Sequence, residues 1–195
     1  MGIDSNRYWV IDVEGSGSTP PEIVELAMLE IVELKFTGNK QHWLVRPKQP
    51  IEPSATRIHG LTDDDVIGAP SIEDIADDML QWLDDTPIIG HNVRVELEII
   101  SRSVPDWSPR AAIDTLKLAR LLRPGLPSYG LEKLGESLGL SDEAARRSER
   151  VHHSALYDAT LTGLIFIDLV SSLSDDKRTV LRDANILDPR QGTLL

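Results

Sequence analysis

Cysteine is missing from this 195-residue chain. Its absence excludes disulfides and thiolate metal sites, and it fits a cytoplasmic protein without requiring one. Long apolar runs are missing as well. No stretch approaches the roughly 20 residues that span a bilayer. The N-terminus carries no basic and apolar leader, so nothing points to secretion or to a membrane. Positive charge is scarce: 20 Lys and Arg face 32 Asp and Glu, for a net charge of -12. A protein that grips nucleic acid along its whole backbone is usually basic. Any nucleic acid here has to be held locally, at a short site, with metal ions offsetting carboxylates. What is present is ordinary for a globular protein. Hydrophobic residues make up 41% of the chain, and the length suits one domain with a sizeable core and at most an appendage.

The chain is organised around Arg7 to Gly17. The aromatic and apolar run Tyr8-Trp9-Val10-Ile11 reads as a central strand, which ends in Asp12-Val13-Glu14 and a glycine turn. Strand side chains alternate faces, so Asp12 and Glu14 point the same way. Two carboxylates on one face of a buried strand repel each other and lose hydration, and a divalent cation gives a reason for that. The plain alternative is an edge strand with a solvated acidic face.

Further along, Glu22 to Leu34 suits either a helix or a long twisted strand. Gly38-Asn39 is a turn signal, and Gln41 to Val45 reads as a short strand. A hairpin after the first strand is the preferred reading, giving a three-stranded antiparallel start. Ser54 to His59 reads as a short turn or helix closed by Gly60. Thr62 to Asp65 and Ser71 to Asp74 fit capping boxes, the second opening an amphipathic helix through Ile72, Ile75, Met79 and Leu83. The acids on that helix, Glu73, Asp74, Asp77 and Asp78, lack EF-hand spacing and are assigned to solvation. Then follow a buried strand (Thr86 to Gly90), a helix ended by Pro105, a minimal strand (Ala111 to Ile113) and a helix to Leu122. Gly130 to Leu138 reads as a helix stopped by Gly139, and Ser141 to Arg150 as a polar helix or exposed loop. Ala155 to Val170 is apolar almost all round and is predicted to be a buried helix. Ser174 to Ala184 is expected as a last helix, with a loose tail from Asp188. This order implies α/β layers.

Four acids sit where a charge needs a partner: Asp12 and Glu14 on the core strand, Glu96 among Val93, Val95, Leu97 and Ile99, and Asp158 among Leu156, Tyr157 and Ala159. Four convergent carboxylates fit two divalent cations about 3.5–4 Å apart, the arrangement of phosphoryl-transfer sites. His153, five residues before Asp158, can face the same site and take a proton from attacking water. A surface or capping histidine is the alternative, and His152 is a weaker candidate for the same role. His91-Asn92 follows the buried strand, where loops of α/β folds carry sites. Asn92 suits orienting a phosphate or a loop, and a helix cap is the plain alternative; both can hold together.

These residues carry a resemblance over about residues 7 to 170. The chain resembles the DnaQ-like, DEDDh 3'-5' exonuclease family, proofreading subunits of replicative polymerases among them. Asp12-Val13-Glu14-Gly15 matches the first motif. Ile58 to Ile75 resembles the family's His-Gly-Ile-Thr connection, and His91-Asn92-Val93-Arg94-Val95-Glu96 meets the second motif. Ile113 to Arg120 matches an Ile-Asp-Thr-Leu run, and His153, Ala155, Asp158 and Ala159 match the third motif.

The resemblance implies an α/β, ribonuclease H-like fold with a central mixed five-stranded sheet flanked by helices. It implies an exonuclease domain over residues 1–173, with 174–195 as a C-terminal helix and tail. Two divalent cations, Mg2+ or Mn2+, are implied: Asp12, Glu14 and Asp158 around one, with Asp12 bridging to the second and Glu96 helping there. His153 matches the general base. The implied substrate is a single-stranded nucleic acid 3' end, cleaved to nucleoside 5'-monophosphates, with Gly15, Ser16, His59, Leu61 and Asn92 as candidate contacts. Two departures stand out: Glu96 and Val95 replace the usual Asp and Phe, and the turn is Gly15-Ser16-Gly17 in place of Thr-Thr-Gly. An RNA-trimming enzyme and a non-catalytic binding relative are the competing readings. No motif identifies a polymerase or other protein partner, and the oligomeric state is left open.

Overall fold

The computed structural model describes residues 6–82, 84–150, 153–173 and 177–188. Its centre is a five-stranded mixed sheet in the order β3-β2-β1-β4-β5. Strands β1 (Arg7–Gly15), β2 (Ile23–Val32) and β3 (Lys35–Leu44) are antiparallel, as the apolar patterning predicts. Strands β4 (Ile88–Gly90) and β5 (Ala112–Asp114) continue the sheet parallel to β1. Both faces are covered, so β1 alternates between two cores instead of between core and water. Tyr8 and Val10 face one core, and Trp9 and Ile11 face the other.

The first core lies under α8 (Ala155–Ser171), whose buried residues run round most of its circumference. The second lies under α3 (Ile72–Trp82) and α4 (Arg94–Ser103). Helix α8 approaches the sheet closely at Gly163. A Cβ there would stand 2.5 Å from Phe36 Cζ and 3.3 Å from Val10 Cγ2. Glycine is therefore required by packing, although it weakens a helix. Among the described residues no helix is long and apolar enough to cross a membrane.

The local start and stop signals are realised. Helix α1 (Pro53–His59) closes on Gly60 with φ 80°. Helix α2 (Asp63–Val66) has the Thr62–Asp65 capping box, and Ser71 and Asp74 bond each other's backbone amides at the start of α3. Acids 73, 74, 77 and 78 are exposed. Helix α5 (Thr115–Leu122) is capped by Asp114, and α6 (Leu131–Leu138) ends at left-handed Gly139. The polar stretch is helix α7 (Ser141–Ser148). Helix α9 (Lys177–Ala184) packs against α5 and β5, and the Asn185 side chain accepts from the Ala112 amide (2.8 Å). Ser174, Leu83, His152 and the tail beyond Asp188 lie outside the described residues.

One sequence expectation is corrected. The hairpin turn is at Glu33-Leu34, both with positive φ (51° and 60°), and not at Gly38-Asn39. Strand β3 runs straight through that dipeptide, which forms a bulge opposite Glu30: Leu29 pairs with Lys40, then Ile31 with Phe36. The bulge serves a buried carboxylate. Glu30 accepts from Thr37 Oγ1 (2.7 Å), Asn39 Nδ2 (2.8 Å) and Arg7 Nε (2.6 Å). A long-range need of Glu30 thus uses the glycine that local turn chemistry assigned to a hairpin.

Candidate active site

Alternation along β1 carries the acids onto the α8 face. Tyr8 and Val10 lead to Asp12 and Glu14 on that face, while Val13 joins the opposite core. Helix α8 brings Asp158 in its first turn, after Ser154, whose Oγ accepts from the Tyr157 amide (3.3 Å). Ligand oxygens of Asp12, Glu14 and Asp158 all lie within 4.8 Å of one another. Strand end and helix start therefore build a three-carboxylate cluster from residues far apart in the chain.

The cluster repels itself. Burial, followed by the charges of Asp158 and Glu25, pushes the Glu14 carboxyl up to about 8. Burial first, then Asp158, Glu96, Glu14 and Glu25, holds Asp12 well above the usual carboxylate range. Glu96, in the first turn of α4, is 5% exposed. Burial pushes it to about 8, with Asp114 and Glu14 adding to the rise and its own backbone amide opposing it. Its Oε2 atom is buried with no hydrogen-bond partner. Glu96 stands outside the tight cluster of three, yet close enough to raise Asp12.

These residues fit a divalent cation. Every donor is a hard carboxylate oxygen, the set that suits Mg2+ or Mn2+. The buried, unpartnered Glu96 oxygen is the kind of atom a cation or its water would satisfy.

The other expected site residues have mixed placements. His153 is exposed at the entry to α8 with φ 62°. Gly15 ends β1, and its carbonyl lies 3.3 Å from His59 Nε2. The Leu61 amide donates to His59 Nδ1 (3.1 Å), so Nε2 carries the proton. Burial lowers the His59 pKa, against the Gly15 hydrogen bond and Glu25, and favours this neutral ring. Ser16 is fully buried, and its hydroxyl accepts from the Glu22 amide (3.1 Å) inside the turn. Gly17 in that turn has φ 78°, and a Cβ there would meet Glu52 Cβ at 2.8 Å. Asn92 is exposed with φ 65°, and its amide donates to Asp114 Oδ1 (3.0 Å). The cap residue of α4 is Val93, with no side-chain cap bond, so Asn92 is not the helix cap. His91 bridges Thr115 Oγ1 (3.0 Å), at the start of α5, and the Tyr129 carbonyl (2.9 Å), tying its own loop to both. Val95 is 45% exposed. Arg146 and Arg147 are paired with Glu143, while Arg57, Arg94 and Arg150 are exposed.

Two buried acids escaped the sequence reading. Glu25 pairs across the strands with Glu14, and Asp114 caps α5 while holding Asn92. Their signal was present: a single acid in the apolar run Ile23 to Leu29, and an acid closing a minimal strand.

A mixed sheet of this order, with carboxylates gathered at the end of its central strand, defines a ribonuclease H-like, metal-dependent nuclease domain. A sequence model of the family described as "RNase_T: Exonuclease" matches residues 9–166. DNA polymerase III subunit epsilon of Buchnera aphidicola subsp. Schizaphis graminum is 31% identical over 202 residues, covering 96% of this chain and 82% of that protein. The subunit of that name from Aquifex aeolicus is 31% identical over 172 residues, covering 85% and 81%. Among solved structures, Exonuclease X in complex with 5' overhanging duplex DNA superposes with a TM-score of 0.67 at 28% identity, over 90% of this chain and 98% of that one. Exonuclease I of E. coli, at 20% identity and a TM-score of 0.70, shares the fold over 42% of its own length. The chain belongs to the RNase_T exonuclease family, in its DnaQ-like, DEDDh 3'-5' exonuclease branch.

Proposed function

We propose that the protein removes nucleotides from the 3' end of single-stranded DNA or RNA, releasing nucleoside 5'-monophosphates with two divalent cations, Mg2+ or Mn2+, in the site. The observation that carries this reading is the convergence of Asp12, Glu14 and Asp158 at the end of β1. Those three would hold one cation, and Asp12 together with Glu96, from α4, would help to hold the second. Bound there, paired divalent cations activate water and stabilise the leaving oxygen.

The chain's own residues supply the rest. His153, exposed at the entry to α8 and five residues before Asp158, takes the proton from the attacking water as general base. His59 ties the segment ending at Leu61 to the Gly15 carbonyl, so Gly15, His59 and Leu61 form one wall for the terminal nucleotide. Ser16 contributes by building the turn behind that wall. Asn92 offers an exposed side-chain amide to a phosphate oxygen. With a net charge of -12, the grip is confined to this short site. The exonuclease domain is residues 1–173, and 174–195 follow as a C-terminal segment whose helix α9 packs on α5 and β5. A cysteine-free chain suits the reducing cytoplasm.

The names of the similar proteins support a DNA end as one substrate, through polymerase subunits and a DNA-bound exonuclease. The test is digestion of matched single-stranded DNA and RNA oligomers, labelled at the 5' end, with each metal. Stepwise shortening from the 3' end with release of monophosphates is expected. Internal fragments, or no product with either metal, would refute the proposal.

A further inference from the structure

We infer that Glu25 is a positioning residue for catalysis: it clamps the start of α8 and so sets where His153 and Asp158 stand. The inference rests on the exonuclease reading above. Glu25 lies on β2 directly opposite Glu14, on the α8 face of the sheet. Its side chain is 6% exposed. One oxygen, Oε2, accepts from the Ala155 backbone amide at 2.9 Å. The other, Oε1, stands 2.6 Å from His42 Nε2, on β3. A sheet carboxylate thus joins the first residue of α8 to an imidazole on the next strand.

Position makes the clamp matter. Ala155 is the first residue of α8, and its amide is one of those a helix leaves without an internal partner. His153 is two residues before it, in the left-handed region at φ 62°, and Asp158 is three residues after it. Both chemical groups therefore hang on a backbone that the Glu25 bond ties to β2. An anionic acceptor at a helix N-terminus is favoured by the helix dipole and makes a stronger bond than a neutral one. Glu25 holds this place although it stands beside Asp12 and Glu14 and raises both of them. An apolar residue would remove the repulsion but leave the Ala155 amide buried and unpaired, so the clamp accounts for an acid at a position the cluster disfavours. His42, half-buried at 26%, holds the other oxygen and so fixes the carboxylate plane. Displacing reacting groups by about 1 Å costs on the order of 100-fold in rate.

The test uses the full chain with Glu25→Ala, Glu25→Gln and His42→Ala, assayed for kcat and KM on a short single-stranded oligomer. Glu25→Ala is expected to lower kcat by about 10- to 100-fold with KM within about twofold, the range seen when supporting partners of a metal site are removed. Glu25→Gln keeps an acceptor for the Ala155 amide and is expected to stay within about fivefold of wild type. His42→Ala should fall between the two. In a His153→Ala background the Glu25→Ala effect should shrink, leaving only the part that runs through Asp158, because groups acting through one another are not additive. A full, multiplicative loss in that background, or a loss confined to KM, would overturn the inference. Hydrogen exchange of the 153–158 backbone, without substrate, reads the clamp independently of activity. Exchange there should speed up about tenfold or more in Glu25→Ala and little in Glu25→Gln. If the wild type hydrolyses nothing, the exonuclease reading fails while this exchange comparison still decides the clamp. Equal protection in all three proteins would reject it.

Discussion

Removing the charge of Glu14 should stabilise the metal-free protein, and by an amount that grows with pH. In the folded state burial and the neighbouring acids lift this carboxyl from the ordinary 4.5 to about 8. The folded protein therefore binds a proton more tightly than the unfolded chain. Below about pH 4.5 both states are protonated and the group costs nothing; stability is then lost progressively as pH rises toward 8. At about 1.4 kcal/mol per tenfold change in proton affinity, the loss sums to about 5 kcal/mol, and water reaching the cluster reduces it to about 2–4 kcal/mol. Against a total stability of about 5–15 kcal/mol that is a large share. For a chain of this size it corresponds to a Tm lower by about 5–15 °C near pH 8 than near pH 5. His59 and His91 work in the opposite direction. Burial lowers both, so they favour the folded state as pH rises through the ordinary histidine range. Differences, not single curves, therefore carry the result. The assay is thermal melting from about pH 5 to pH 8 of wild type and Glu14→Gln, each in chelator and in millimolar Mg2+. In chelator, Glu14→Gln should gain on wild type as pH rises. Mg2+ should raise the wild-type Tm little near pH 5 and strongly near pH 8, because its ligands must be deprotonated. A Glu14→Gln difference independent of pH, or an Mg2+ gain equal at both ends, would refute the electrostatic account of the cluster.

The remaining predictions concern single groups. His153→Ala should keep calorimetric Mg2+ binding yet lose about 10²- to 10⁴-fold in hydrolysis, and a rate within about twofold of wild type would reject His153 as the base. Glu96→Ala should lose activity severely and Glu96→Asp only in part, with Mn2+ at least as effective as Mg2+, since Mn2+ tolerates less ideal geometry around the longer side chain. A near wild-type kcat/KM for Glu96→Ala in both metals would remove Glu96 from the site. Gly163→Ala should destabilise the fold by about 1–3 kcal/mol in urea unfolding despite better helix propensity, because its Cβ would meet Phe36 at 2.5 Å. An unchanged or raised midpoint would show that Phe36 moves aside freely.

Features that depend on near neighbours were legible in the sequence alone. The two capping boxes, the glycine stops at Gly60 and Gly139, the apolar helix from Ala155 and the shared face of Asp12 and Glu14 follow from residues a few positions apart. Strand alternation and helix ends are short-range chemistry, so composition and spacing determine them. The tertiary structure decided whatever depends on distant partners. It set the hairpin turn at Glu33-Leu34, with the bulge at Gly38-Asn39 bringing Thr37 and Asn39 to Glu30, which Arg7 holds from the neighbouring strand. It placed Glu96 outside the tight cluster with an unpartnered oxygen, beside Asp114. It joined Glu25 to Ala155, 130 positions away, and through it the first strands to the helix that carries Asp158. Burial is what gives these contacts their energy. A carboxylate reads alike in any sequence, but only once it is out of water does it need a donor, a proton or a cation, and the packed fold determines which of the three it meets.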